Sequence, residues 1–100
     1  MNMQQMMIQA QKMQRELQKA QAELAKKEFK VTKAGLVTVT VLGSKEIKAI
    51  NIEDDGFDKD NKEMVEEMIA LAINEIFEQI DAENETIQEK ITGRPGGFGF

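Results

Sequence analysis

Leu36-Val37-Thr38-Val39-Thr40-Val41-Leu42 is the run in this 100-residue chain that alternates between apolar and hydroxyl side chains. A period of two puts Val37, Val39 and Val41 on one face and Thr38 and Thr40 on the other, the pattern of a strand buried on one side. Turn signals bracket it. Ala34-Gly35 precedes it and Gly43-Ser44 follows it, so the β-prone runs Phe29 to Lys33 and Lys45 to Ile52 become its neighbours through short hairpins. The expectation is a three-stranded antiparallel sheet whose two open edges need a partner, a helix or charged residues to protect them.

Working outward from the sheet, Met3 to about Glu28 contains no Gly or Pro, and Met3, Met6, Ala10, Met13, Leu17, Ala20 and Leu24 recur in steps of three and four. That is the seam of a coiled coil. A helix of that length runs about 40 Å, against a radius of gyration of about 13 Å for a compact domain of this size, so it must project or find a partner. Past the sheet, residues 53–61 form a polar, acidic loop in which Asp60 and Glu63 make a capping box for a second helix from about Asn61 to Ile91. Met64, Val65, Met68, Ile69, Leu71, Ala72, Ile73, Ile76, Phe77 and Ile80 give that helix a broad apolar face suited to packing on the sheet, which thins to Ile87 and Ile91. Residues 92–100, with four Gly and the only Pro, read as a mobile tail after a single domain over 1–91.

The class is therefore α+β, in the order αβββα, with two helices longer than the sheet they flank. Pairing of two copies would bury the seam and protect the edges. Met6, Met13 and Leu17 of the seam, Val39 of the sheet, and Ile73, Ile76 and Ile80 of the second helix are assigned to that homodimer interface.

Composition narrows the chemistry. The chain has no Cys, His, Tyr or Trp and a single serine, Ser44, which removes thiolate and imidazole catalysis, a Ser-His-Asp triad and the ligands zinc usually takes. Neither an enzyme nor a cofactor is expected. The acidic loop fails the calcium template, because a loop starting at Asp58 puts Lys62 at the fifth position and Ile69 where a bidentate Glu belongs. No apolar run approaches the roughly 20 residues that span a bilayer. A cytoplasmic protein without a membrane or small-molecule partner is expected.

Charge is unevenly shared. The net charge is -5, but residues 1–50 hold nine Lys or Arg against four acids, whereas residues 51–100 hold four against fourteen. Such asymmetry points to a polyanion bound by the first half. On the heptad, Lys12, Lys19 and Lys26 fall at one position and Arg15 one turn away, opposite the seam, while Glu16 and Glu23 fall to the side. The stripe from Lys12 to Lys26 is about 21 Å long and suits contact with phosphates, which B-DNA presents at about one charge per 1.7 Å. Glu23 also lies four before Lys27 and three before Lys26, an arrangement that stabilises a helix without any ligand. Lys30, Lys33, Lys45 and Lys48 add charge to the sheet, where edge lysines also guard against aggregation.

Gln9-Ala10-Gln11-Lys12-Met13-Gln14, Ala34-Gly35-Leu36-Val37-Thr38-Val39-Thr40-Val41 with Gly43, Ile50-Asn51-Ile52-Glu53 and Asp60 to Ile69 followed by Ala72-Ile73-Asn74 together resemble the YbaB/EbfC family of nucleoid-associated proteins. The resemblance implies a tweezer-like αβββα homodimer in the cytoplasm, associated with the nucleoid. It implies binding to double-stranded DNA with little sequence preference, a change in DNA conformation, and a part in nucleoid organisation and gene regulation. The matching DNA-contacting positions are Lys12, Arg15 and Lys19, which we extend to Lys26, Lys27, Lys30 and Lys33. Many members begin with a Gly-rich basic lead, whereas this sequence opens with Met1-Asn2-Met3-Gln4, which would remove one DNA-touching arm. The alternative is a protein-binding coiled-coil module such as a prefoldin-like holdase, working through Met3, Met6 and Met7. The same charges would serve RNA.

Overall fold

The computed structural model describes residues 2–93. Helix α1 spans Met3–Lys26, strands β1, β2 and β3 span Glu28–Lys33, Val37–Leu42 and Ile47–Ile52, two 3₁₀ turns span Asp54–Phe57 and Lys59–Asn61, and helix α2 spans Lys62–Thr92. The sheet is antiparallel in the order β1-β2-β3. The αβββα order and the three-stranded sheet agree with the alternation of apolar and hydroxyl residues around Val39.

Local chemistry sets the ends of the elements. Asn2 caps α1, its Oδ1 accepting the Gln5 amide at 2.8 Å. Ala34 and Gly35 both take positive φ, 56° and 65°, which gives the β1–β2 hairpin the left-handed turn that matches strand twist. Lys45 also takes positive φ, 73°, and this turns the chain so that β3 begins at Ile47 rather than at Lys45 as expected. The expected capping box is not formed: α2 starts at Lys62 from Asn61, whose side chain makes no cap, while Asp58 rather than Glu63 is the local acceptor, taking the Asp60 amide at 2.9 Å. Asn61 Nδ2 instead donates to the Asp55 carbonyl at 2.9 Å, so its side chain ties the first 3₁₀ turn to the start of α2. Thr92 is helical, and Gly93 closes α2 in the left-handed conformation at φ 74°. Most of the expected tail, residues 94–100, lies outside the described residues.

Val37, Val39 and Val41 are fully buried beneath α2, which packs over β1 and β2 with Val65, Ala72, Ile76 and Ile80. Phe29 and Val31 pair across β1 with Val41 and Val39 and point the same way, and Leu24 of α1 completes the core. This corrects part of the assigned dimer interface. Val39 and Ile76 are 0% exposed and Ile80 3%, so they fill the protomer's own core and present no surface to a second copy.

The seam is also used within the chain. Beyond the sheet, α2 runs back along α1: Ala20, Leu24 and Ile87 line one groove between the helices, and farther out Ala10, Met13, Leu17 and Thr92 line another. Met13 and Leu17 are half-buried there, as is Ile73 beside the core, whereas Met3, Met6 and Met7 continue the stripe uncovered. The result is an arm two helices thick projecting from a small α/β base. The molecule measures 68 × 23 × 14 Å, with a radius of gyration of 19.1 Å.

A bulge in β3 leaves a second uncovered patch. Thr40 pairs with Ala49 but Val41 with Ile47, so Lys48 is the extra residue. Ile47 and Ile50 share the face of their partners Val41 and Val39, yet α2 does not reach over them and they stay 44% and 42% exposed.

Candidate nucleic-acid interface

Four cations stand on the face of α1 turned away from α2. Lys12, Arg15, Lys19 and Lys26 are all exposed, and among the described residues none of them enters a salt bridge. Their position follows from the heptad: burial of Leu17 and Leu24 against α2 fixes the rotation of α1, and positions on the opposite side must face water. The docked hairpin fixes the direction of α1. The Gly43 and Ser44 amides donate to the carbonyls of Lys27 and Ala25 at 2.8 and 3.2 Å, satisfying acceptors that a helix end leaves free.

The remaining assigned lysines divide. Lys27 binds Glu83 at 2.6 Å and Lys33 binds Glu75 at 2.8 Å, both across to α2. Lys27 also lies over the Phe29 ring, its Nζ 5.1 Å from the centroid. These two hold α2 against the β1 side, and a phosphate would have to compete with a carboxylate for each. Lys30 is different. It sits on the sheet face away from α2, exposed and without a salt bridge among the described residues. Of the seven assigned cations, Lys27 and Lys33 are held by α2, Lys30 lies in the field of the Glu28 carboxylate, and the four on α1 carry no salt bridge among the described residues.

Outside that set, Lys45 pairs with Asp81 at 2.8 Å and covers the Phe77 ring, its Nζ 5.4 Å from the centroid. Lys48 pairs with Glu28 over the sheet face opposite α2, and its hydrogen bond and charge hold the Glu28 carboxyl below its ordinary value. None of these cross-links was legible in the sequence, since Lys27 and Glu83 lie 56 residues apart and no local pattern joins them. Their effect on the field is directional. Carboxylates of α2 neutralise Lys27, Lys33 and Lys45, and Glu28 of β1 pairs with Lys48, while the outer face of α1 keeps its charge.

The profile of the YbaB/EbfC DNA-binding family matches residues 1–95. The chain belongs to the YbaB/EbfC DNA-binding family. It is similar to a nucleoid-associated protein of Clostridium botulinum (strain Eklund 17B / Type B), 46% identical over 99 residues that cover 97% of this chain and 88% of the relative. A nucleoid-associated protein of Agathobacter rectalis is 42% identical over 97 residues, covering 96% and 86% of the two chains. One from Mycoplasmopsis pulmonis is 38% identical over 91 residues, covering 91% and 90%. Members of this DNA-binding family thus span nearly the whole chain, arm and base together. No helix among the described residues is long and apolar enough to cross a membrane.

Proposed function

We propose that this protein is a homodimeric nucleoid-associated protein of the cytoplasm that holds duplex DNA by its phosphate backbone and alters its conformation. The observation that carries the reading is the row Lys12, Arg15, Lys19 and Lys26, free of carboxylate partners on a projecting arm in a chain whose net charge is -5. Family membership and the names of the relatives support the same partner. Lysine and arginine on a helix flank reach phosphates as charges, a contact that positions the protein without reading sequence.

Two copies strengthen the reading. Ile47 and Ile50 lie uncovered beside the open edge of β3, and covering them with a second protomer removes an apolar surface and an unpaired edge together. The assigned interface thereby shifts from the core residues Val39, Ile76 and Ile80 toward β3 and the flank of α2 that carries Ile73. A dimer presents two arms, and a duplex engaged by both is constrained in its path.

A salt titration of duplex binding tests the DNA reading. Four phosphate contacts per protomer give log K against log salt a slope of about -3.6, and two engaged arms about -7. Replacing Lys12, Arg15 and Lys19 with Glu is expected to weaken binding and flatten the slope. An unchanged slope in a folded variant removes the stripe from the mechanism.

A further inference from the structure

The cations on the outward face of α1 are interleaved with amides. Gln4, Gln11 and Gln18 recur every seven residues, each one position before Gln5, Lys12 and Lys19, and Arg15 lies between Gln11 and Gln18 on the same face. All of these side chains are exposed, and none of the described ones makes an intramolecular hydrogen bond or ion pair. Gln11, Gln14, Arg15 and Gln18 line one shallow depression.

Solvation alone does not account for that choice of residue. Glutamate is about as good a helix former as glutamine, and near a helix N-terminus it is the better one, because it complements the dipole and pairs with lysine four residues on. Yet the first turn of α1 has no acid, and the first carboxylate in the chain is Glu16. Neutral amides here forgo a helix-stabilising charge and keep the face acceptable to a polyanion. They also supply what lysine lacks. A glutamine amide both donates and accepts, the pair of functions that matches N6 and N7 of adenine in the major groove, as the arginine fork matches O6 and N7 of guanine.

The spacing fits a duplex. Seven residues of helix advance about 10.5 Å, and three base pairs advance about 10.2 Å at 3.4 Å each. The major groove, about 12 Å wide, admits one helix, and α2 lies on the opposite side of α1 where it does not obstruct entry. We propose that Gln11, Arg15 and Gln18 form a base-edge-reading row, with which α1 enters the major groove and favours two adenines about three base pairs apart with a guanine between them. This inference rests on the duplex-binding reading and goes beyond it: Arg15 reads a base edge in place of a phosphate, adding a sequence preference to an affinity set by the phosphates that Lys12, Lys19 and Lys26 reach.

Selection from duplexes with a randomised core, using the full chain, tests it. The expected yield is enriched in that purine pattern. Placing 7-deazaadenine, which lacks N7, at the two selected adenines lowers wild-type affinity about tenfold. The Gln11→Ala/Gln18→Ala variant, whose helix is favoured by alanine, is expected to return no adenine pattern and to ignore the deaza substitution. Arg15→Lys, which keeps the charge but lacks the fork, relaxes only the guanine position. Wild-type protein that binds the pool yet returns no pattern, or a glutamine variant that selects the same pattern, overturns the inference and leaves backbone binding intact. Failure to bind any duplex in dilute salt overturns the DNA reading and this inference with it.

Discussion

A β-carbon on Gly43 would lie 1.8 Å from the carbonyl oxygen of Leu24, so the β2–β3 hairpin meets the end of α1 where no side chain fits. The obstacle is backbone, which cannot rotate aside. Gly43→Ala must therefore break the amide contacts from the hairpin to Ala25 and Lys27 or push α1 off its seat. A loss of about 1–3 kcal/mol is expected, from the usual cost of overpacking. Urea unfolding followed by circular dichroism measures it, and an unchanged midpoint refutes the tight contact.

Glu75 and Glu83 hold two of the assigned DNA-binding lysines. Their salt bridges are partly exposed, so Glu75→Gln/Glu83→Gln is expected to change stability by less than about 1 kcal/mol per pair. Duplex binding should change more. The substitutions remove two negative charges and release Lys27 and Lys33, which tightens binding and steepens the salt slope by up to about two contacts per protomer. A slope identical to wild type would mean that neither lysine reaches the phosphates.

The Glu28 carboxyl is held below its ordinary value of 4.5, first by the hydrogen bond from Lys48 and then by that residue's charge. A carboxyl depressed in the folded state binds its proton more weakly there than in the unfolded chain. Its contribution to stability is therefore present above about pH 4.5 and fades as the pH falls through the lowered folded value. Carbon-detected NMR titration of Glu28 should give a midpoint under 4.5 in the wild type and a higher one in Lys48→Met. Equal midpoints would rule out the pair in solution.

Ile47→Thr/Ile50→Thr separates association from folding. Both residues are about two-fifths exposed and threonine keeps the β-branch, so the far-ultraviolet spectrum should be preserved. Light scattering at low micromolar protein is expected to give twice the protomer mass for wild type and the protomer mass for the variant. Wild-type protein that scatters as a monomer removes the dimer. By contrast, Ile76→Ala cuts into the core and should cost about 2–5 kcal/mol.

What the sequence made legible were the features with local periodicity. The Val37-Val39-Val41 alternation located the sheet and its buried face, and the heptad from Met3 to Leu24 gave the length and rotation of α1, hence the outward placement of Lys12, Arg15 and Lys19. Long-range geometry was not legible. A heptad does not say whether its partner is another chain or α2 of the same one, and the half-buried Met13 and Leu17 line a groove between α1 and α2 while keeping surface for a second copy. Ile76 and Ile80 were misplaced for a related reason, since an apolar stripe specifies burial but not the surface that buries it. The uncovered Ile47 and Ile50 follow from a one-residue bulge at Lys48 and a helix displaced toward β1, and neither leaves a mark in composition. The Asp60 and Glu63 spacing did match a cap, but the tighter turn through Asp58 took precedence.

Seating α1 on a glycine makes the hairpin a pivot and the helix a lever about 36 Å long. A tilt of only 5° at the pivot carries the tip about 3 Å, close to the 3.4 Å rise of one base pair. In the proposed dimer, the separation between the two tips, and with it the pitch of duplex the pair would clasp, is set at a point far from any nucleotide. Substitutions around Gly43 should retune that clasp without touching one charged side chain.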